Sequence, residues 1–275
     1  MRIIGTENGT DAGSMVGTRH AVSDNKSKSG HGMPCPFSPN KVVYILKRLL
    51  NYLMVLGVFI LAGCSASKGT SSESDWVRVT NGNLWLTAEG DTVQAHAPGF
   101  LRLGDTWYMV GEDRGREWHP DVNLYSSKDL QHWHFEKKII ENGVTSPDLG
   151  KSRMIERAKL LYNKKTKRFV VWCHWESSNY GASEAACFSS DKIDGTYRLE
   201  WSGRPLGIKS RDCNVFVDSD GTAYFISTTV ENQHLGLFRL SDDYLSVMEH
   251  TRLFAGQRRE APAIVKLGQR YFMFS

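Results

Sequence analysis

The chain has 275 residues, of which 40% are hydrophobic and 23% are charged, and its formal net charge at pH 7 is +4. This length and composition fit one ordinary globular domain with an additional segment. Residues 1–64 carry seven of the 34 basic residues and three of the 30 acidic ones, which leaves 27 of each sign in the remainder. Because nucleic-acid binding depends on an excess of positive charge, this neutral remainder argues against a nucleic-acid partner.

The first 64 residues have the order of a leader rather than of a folded domain. Residues 1–40 contain scattered Gly, Ser, Asn and Pro without an apolar period, so we expect them to be unstructured, and a start codon assigned too far upstream would explain them. Residues 41–64 read as a signal peptide, with Lys47 and Arg48 before an uncharged apolar run over 49–62. That run is shorter than the roughly 20 residues of a membrane-spanning helix. A cleaved signal is therefore favoured over a retained span, and a buried helix is the alternative.

The segment Leu61-Ala-Gly-Cys64 resembles the bacterial lipobox, whose cysteine becomes the lipidated first residue of the mature protein. This resemblance implies lipidation of Cys64 and export to the bacterial cell envelope, with the lipid as the only contact with the membrane. The Ser-rich stretch over 65–80 then reads as a linker, and 81–275 as the folded domain.

Three cysteines follow Cys64, at positions 173, 187 and 213, and none has the short spacing of a metal site. We predict three buried thiols, with one disulfide as the alternative. The sequence shows no phosphate-binding Gly-rich loop and no metal-ligand cluster, so we expect neither a cofactor nor a metal.

Beyond residue 90 the chain repeats one unit, in which an alternating strand, a turn and an aromatic-rich strand are followed by a second hairpin. The units begin near His96, Glu156, Asp212 and Glu260. Their spacing of about 50 to 60 residues is that of propeller blades and is too long for solenoid repeats. The sequence therefore predicts an all-β fold, a five-bladed β-propeller of which about three and a half blades are present, so that the chain stops before the ring closes. An ordinary β-sandwich is the alternative.

Polar residues at the starts of the first strands are the candidates for chemistry, because these strands line the central axis of a propeller. The pairs at these positions are Gln94 with His96, Glu156 with Arg157, Arg211 with Asp212, and Arg259 with Glu260. Carboxylates that meet in one pocket repel, so we expect at least one of the three to have a raised pKa. A carboxylic acid that keeps its proton is what glycoside hydrolysis needs, although each carboxylate could instead pair with its neighbouring arginine.

Aromatic side chains near these positions could stack on sugar rings, and Trp175 is the one that we place in the site. The other candidates are Trp107, Trp118, Trp172 and His174. Each of them taken alone is more typical of a protein core.

Taken together, these motifs resemble glycoside hydrolase family 43, and most closely its exo-β-1,3-galactanase branch, over about residues 85–275. The motifs that carry the resemblance are Gln94-Ala-His96, Tyr125-Ser-Ser-Lys-Asp-Leu130, Ile155-Glu-Arg-Ala-Lys159, Leu161-Tyr-Asn-Lys-Lys-Thr166, Ser210-Arg-Asp212, Asp218-Ser-Asp-Gly-Thr-Ala-Tyr224 and Arg259-Glu-Ala-Pro262. Ala158 stands where the branch usually has proline, which leaves the direction of Glu156 unchanged.

The resemblance implies an inverting hydrolase in which Glu260 is the general acid, Asp212 positions it and tunes its pKa, and Glu156 binds the sugar. Most of the family has an aspartate base in the first blade, where this chain has Gln94 and His96. The galactanase branch shares that departure, and a glutamine proposed to handle the water there falls in its last blade, beyond the position of Ser275. We count Gln94, His96, Arg211 and Trp175 as substrate-binding candidates.

The resemblance thus implies cleavage of β-1,3-galactan, as found in arabinogalactan, so that the expected partner is an oligo- or polysaccharide. One alternative is an α-L-arabinofuranosidase or β-xylosidase of the same fold. Another is a carbohydrate-binding propeller without catalysis.

Overall fold

The structure, a computed structural model, describes residues 82–115, 121–141 and 153–275, all within one compact unit. The segment 1–40, the signal peptide, Cys64, the linker and Trp118 lie outside these ranges. Within the described ranges, no helix is long and apolar enough to span a membrane.

The described residues fold into consecutive antiparallel meanders, each a blade in which every strand pairs with the next. Blade 1 contains β1 (His96–Leu103), β2 (Thr106–Glu112), β3 (Val122–Ser127) and β4 (His134–Ile140). Blade 2 contains β5 (Arg153–Asn163), β6 (Arg168–Ser177), β7 (Glu184–Ser190) and β8 (Arg198–Gly203). A short 3-10 helix (Pro205–Gly207) leads into blade 3, which contains β9 (Ser210–Val217), β10 (Ala223–Thr229), β11 (His234–Leu240) and β12 (Val247–Leu253).

A further hairpin, β13 (Ala263–Leu267) with β14 (Arg270–Phe274), begins blade 4. Three complete meanders and one hairpin confirm the predicted all-β architecture of three and a half blades. The turns of the first and last hairpins contain Gly104 and Gly268, both with φ of +60°. Left-handed residues in such tight turns match the twist of the paired strands, which is why the turn glycines marked the hairpins in the sequence.

The hydrophobic core lies between successive blades. One cluster joins blade 1, through Val110 and Leu124, to Ile155 and Trp175 of blade 2. A second cluster joins blade 2 to blade 3 and contains Trp172 and Phe225, whose ring centroids are 5.1 Å apart. Blade 2 thus buries both faces of its sheet, one against blade 1 and the other against blade 3, which fixes where the first strands of these blades meet.

Irregular backbone at the starts of the first strands directs the candidate side chains. The β1–β2 register shifts just after His96, and the β5–β6 register shifts just after Glu156. The following residues, Ala97 and Arg157, have left-handed φ values of 46° and 54°, and Ala261 after Glu260 has 49°. A bulge turns a side chain away from the regular alternation of a strand, and here it recurs beside the predicted site residues.

The three described cysteines, Cys173, Cys187 and Cys213, are buried and free. Burial raises the pKa of all three, so these thiols are protonated at neutral pH. This confirms the prediction of buried thiols over a disulfide for these residues.

Candidate active site

Glu156 is held by polar contacts to both of its carboxylate oxygens. Its Oε1 accepts hydrogen bonds from Tyr180 Oη at 2.8 Å and Arg114 Nη2 at 3.1 Å. Its Oε2 lies 3.0 Å from Nδ1 of the buried His174, although not in the direction of an ideal hydrogen bond, so this contact is best described as an ion pair. Both carboxylate oxygens of Glu156 are therefore fixed in direction.

Burial alone would raise the pKa of Glu156, but the contact with His174 and the hydrogen bonds from Tyr180 and Arg114 outweigh it. The net result is a pKa of about 2. Glu156 is therefore ionised at neutral pH, and the raised pKa expected for at least one of the three carboxylates does not occur at this one. Burial and the same contact raise the pKa of Tyr180 to about 12, so its hydroxyl remains a donor.

Glu112, at the end of β2, joins blade 1 to blade 2 and has no exposed side-chain surface. Its Oε2 lies 2.6 Å from Arg114 Nη2 and 3.2 Å from His96 Nδ1. Its Oε1 accepts a hydrogen bond of 2.6 Å from the backbone N–H of Arg157. Arg114 bridges Glu112 and Glu156, so one guanidinium serves both carboxylates.

Asp212 and Glu260 extend this network to blades 3 and 4. Asp212 Oδ1 lies 2.6 Å from Nε of Arg157, and its Oδ2 accepts a hydrogen bond of 3.3 Å from the backbone N–H of Ala261. Glu260 is exposed, and its Oε1 accepts a hydrogen bond of 2.6 Å from Asn232 Nδ2. Arg157, which follows Glu156, pairs with Asp212, and Ala261, which follows Glu260, donates its N–H to Asp212. The three predicted carboxylates are thus linked across the blades through adjacent residues, and each is met by a donor rather than by another carboxylate.

Gln94 and His96 lie beside the same network. The backbone of Gln94 is held by the side chains of Tyr125 and Asn123, at 2.9 and 3.0 Å. The side chain of His96 is 58% exposed, so one face of the imidazole remains open to a ligand.

Arg211 is engaged in holding loops together. Its Nε donates to Ser183 Oγ at 3.1 Å, and its Nη2 donates to the carbonyl oxygen of Tyr180 at 3.0 Å and lies 2.9 Å from Glu231 Oε2. These contacts link the turn that carries Tyr180 to the turn that carries Asn232.

Trp175 corrects the sequence interpretation. Its side chain is only 2% exposed and packs in the cluster between blades 1 and 2, against Phe188 and Arg153. Adjacent residues of a strand face opposite sides, so His174 points toward Glu156 while Trp175 points into the core. Trp175 therefore offers no open face to a sugar ring, and Trp172 is likewise buried.

Sequence reasoning missed five residues of the network: Glu112, Arg114, Glu176, Tyr180 and Asn232. It considered only first strands, whereas Glu112 and Glu176 lie near the ends of second strands. In an antiparallel pair those ends lie opposite the starts of the first strands, as His96 lies opposite Glu112. An acidic residue at that place in two successive repeats was the available signal. Among the described residues, no group of three His, Cys, Asp or Glu side chains could hold a metal ion.

The sequence model described as "Glycosyl hydrolases family 43" matches residues 91–275. No curated protein sequence matches the chain significantly.

Among solved structures, the exo-β-1,3-galactanase from Clostridium thermocellum is 38% identical with a TM-score of 0.68, over 71% of this chain and 45% of that one. A variant of the exo-β-1,3-galactanase from Phanerochaete chrysosporium, solved with β-1,3-galactotriose, is 32% identical with a TM-score of 0.67, over 72% of this chain and 47% of that one. A family 43 β-1,3-galactosidase is 37% identical with a TM-score of 0.67, over 71% of this chain and 43% of that one.

The chain thus spans less than half the length of these three relatives. The family match covers about two thirds of the chain, including every described blade. The described strands are accordingly three and a half blades of the five-bladed β-propeller of that family. The chain belongs to glycoside hydrolase family 43.

Proposed function

We propose that this chain provides the acidic site of an inverting glycoside hydrolase that releases terminal galactose from β-1,3-galactan, as in arabinogalactan. The observation that carries the proposal is the contact network that joins Glu156, Asp212 and Glu260 from three successive blades. The similarity to β-1,3-galactan-cleaving enzymes, at 32% to 38% identity, supports the choice of sugar.

In this proposal Glu260 is the general acid, since it is the exposed member of the three and can approach a glycosidic oxygen. It gives its proton to the leaving oxygen as the bond to the anomeric carbon breaks. A water molecule attacks that carbon from the opposite face, which inverts the configuration, and its proton passes to the solvent. Asp212, fixed by Arg157 and by the backbone beside Glu260, positions the acid.

Glu156 has a different task, because its low pKa makes it an acceptor rather than an acid. Its two oxygens are already oriented by Tyr180, Arg114 and His174. An oriented carboxylate of this kind is suited to accept hydrogen bonds from sugar hydroxyl groups. Gln94 and His96 lie on the blade 1 side of the same network and are proposed to contact the sugar.

The test is hydrolysis of β-1,3-galactotriose by the whole chain, followed by NMR to assign the first anomer released. We expect α-galactose, which indicates inversion of a β linkage. Glu260→Gln is expected to lose about a hundredfold or more in kcat, the range for a general acid. Glu249→Gln, which removes an exposed carboxylate of β12 paired with Arg239, is the matched control. An unchanged kcat in Glu260→Gln refutes the role of Glu260.

Two other outcomes decide between the alternatives. Turnover of aryl arabinofuranosides or xylosides, with none on the galactoside, points to the other activities of this fold. Calorimetric binding of galactan oligosaccharides without turnover points to a carbohydrate-binding propeller.

We also propose that the protein is exported and anchored to the cell envelope through a lipid on Cys64. The support is the order of basic residues, apolar run and Leu61-Ala-Gly-Cys64 in the sequence. Expression in a bacterium with a labelled fatty acid is expected to label the chain, and Cys64→Ala is expected to abolish the label. Equal labelling of the two refutes the proposal.

A further inference from the structure

His174 lies between two carboxylates inside blade 2. Its Nδ1 is 3.0 Å from Glu156 Oε2, and its Nε2 is 3.0 Å from Glu176 Oε2. The His174 side chain is 2% exposed and that of Glu176 is not exposed at all. Nε2 donates a hydrogen bond to Glu176, and Nδ1 lies close to Glu156 without an aligned hydrogen bond, so the ring is flanked by two carboxylates that favour the imidazolium form.

Glu176 also closes a loop. Its Oε1 accepts hydrogen bonds from the backbone N–H groups of Ser177, Ala182 and Ser183, at 2.9, 2.8 and 3.1 Å. The loop between them carries Tyr180, which has a left-handed φ of 54° and donates to Glu156. One carboxylate thus reaches Glu156 by two routes, through the ring of His174 and through the backbone that holds Tyr180.

We propose that Glu176 is a positioning residue that fixes the direction of Glu156 through His174 and, through the 177–183 loop, the hydroxyl of Tyr180 on the same carboxylate. It does not itself touch the sugar, because it is fully buried. The inference rests on the proposed role of Glu156 in binding sugar. If Glu176 and His174 only stabilise the fold, their replacement should not change sugar binding. A positioning role and a purely structural role therefore predict different results.

The charges around His174 favour this arrangement. Burial lowers the pKa of His174, but the contacts with Glu156 and Glu176 outweigh burial and raise it. Burial likewise opposes ionisation of Glu176, whose pKa is nevertheless about 2 because of His174 and the loop N–H groups. The other titratable or charged groups that face this set are Arg114 and Tyr180 at Glu156, Glu112 behind Arg114, the neutral thiol of Cys213, and Glu231 toward Glu176.

Glutamine cannot replace Glu176, although it has the same shape. Oε1 of Glu176 accepts from the loop N–H groups, while Oε2 accepts from His174 and shares the N–H of Ser183. In glutamine one of these positions becomes an NH₂ group, which would face either the loop donors or the protonated ring nitrogen. Glu176→Gln must therefore give up one of the two routes to Glu156.

The first experiment uses the unaltered chain and needs no substrate. The ring ¹⁵N shifts of His174, followed by NMR from pH 5 to 9, are expected to show a pKa raised above the ordinary histidine value by the two carboxylates. A His174 ring that titrates at or below the ordinary value overturns the proposal. Because this readout is independent of hydrolysis, it stands even if the proposed sugar or reaction is wrong.

The second experiment compares Glu176→Gln with Glu200→Gln, which removes a partly exposed carboxylate of β8 that pairs with Arg168. In Glu176→Gln, we expect KM for β-1,3-galactotriose to rise about tenfold, as for loss of a hydrogen bond to a charged group. The pKa of His174 should fall in this variant, so KM should rise further as the pH increases and His174 loses its proton. Glu176→Asp keeps the negative charge, so we expect it to restore in part both the lower KM and its weaker dependence on pH. If Glu176→Gln is folded and has the KM and His174 titration of the Glu200→Gln control, the proposal is overturned.

Discussion

Asn232 donates a hydrogen bond of 2.6 Å to Glu260 from a turn in which three successive non-glycine residues are left-handed. The φ values are 51° for Val230, 53° for Glu231 and 61° for Asn232. Such backbone costs roughly 1–2 kcal/mol per residue and persists where surrounding contacts impose it. Here the contacts are ion pairs of Glu231 with Arg211 and Lys209. The strained turn is thus tied to the loop that carries Tyr180, and it directs Asn232 onto Glu260.

Replacement of Asn232 tests whether this hydrogen bond orients the proposed acid. In Asn232→Ala the carboxyl group of Glu260 loses its donor and can rotate, so kcat on β-1,3-galactotriose should fall about tenfold or more, as for loss of a hydrogen bond to a charged group. Asn232→Asp places a second carboxylate against Glu260 and should reduce kcat further. Asn232 is half-buried, and alanine tolerates its left-handed φ of 61° less well than asparagine, so the thermal midpoint should fall somewhat in the alanine variant and is measured separately. Wild-type kcat in Asn232→Ala would show that the contact is incidental.

Strain in the same turn can be measured separately. Val230 is 48% exposed, so Val230→Gly loses little apolar contact and relieves the left-handed strain of a β-branched residue. We expect this variant to be as stable as the wild type, or more stable by up to about 1 kcal/mol in urea unfolding. Val217→Gly is the matched control, because Val217 is 37% exposed but lies in β9 with ordinary strand backbone. It should be less stable by about 1 kcal/mol. Equal losses in both variants contradict the assignment of strain.

The blades could be predicted from the sequence because hairpins are local. Gly104 and Gly268 mark their turns, and period-two alternation marks the strands. The repeat and the starts of the first strands could therefore be predicted. The same alternation places His174 and Trp175 on opposite faces, and applying it would have removed Trp175 from the site. The contact between Asn232 and Glu260 is different, since it joins residues 28 positions apart in two blades through an irregular turn. No local pattern encodes that approach.

Glu156 illustrates the same limit in electrostatic terms. Carboxylates occur at equivalent positions of successive repeats, and they would repel one another if they were in direct contact. In the structure His174 and Arg114 contact Glu156 instead, and these cations lower its pKa. The sign of a pKa shift depends on which neighbour is nearest, and that is set by packing between blades rather than by spacing along the chain.

Asp218 connects blade 3 to the β13–β14 hairpin and gives a third prediction. Its carboxylate accepts hydrogen bonds from Lys266 Nζ and Tyr271 Oη. Burial alone would raise the pKa of Asp218, but these hydrogen bonds outweigh burial and keep the pKa below the ordinary value of 3.8. The interaction stabilises the hairpin above pH 3.8 and is lost as the pH falls below it. Asp218→Asn should therefore speed hydrogen exchange of β13 and β14 amides at pH 6 by about tenfold, as for loss of a charged hydrogen bond, without changing exchange in blade 1. Uniform acceleration across all blades would mean that Asp218 supports the whole domain instead.

Lys159 gives a fourth prediction, in which stability again increases as the pH rises, but in the alkaline range and because of burial. Its side chain is 5% exposed, and its Nζ donates a hydrogen bond of 2.6 Å to the carbonyl oxygen of Ala97, across blades 1 and 2. Burial lowers its pKa from 10.5 to about 8. Between these values the folded chain has released the proton while the unfolded chain still holds it, so this group makes the free energy of unfolding increase with pH, by at most about 1.4 kcal/mol per pH unit.

Lys159→Met removes that titration and keeps the apolar stem. The free energy of unfolding of both proteins is measured in urea from pH 7.5 to 10. It should increase with pH more steeply in the wild type than in Lys159→Met. Lys165→Met, which alters an exposed lysine paired with Asp242, serves as the control and should keep the wild-type slope. If the wild type and Lys159→Met have parallel pH dependences, Lys159 retains its charge in the folded protein, and the carbonyl oxygen of Ala97 is then bonded by an ammonium ion throughout.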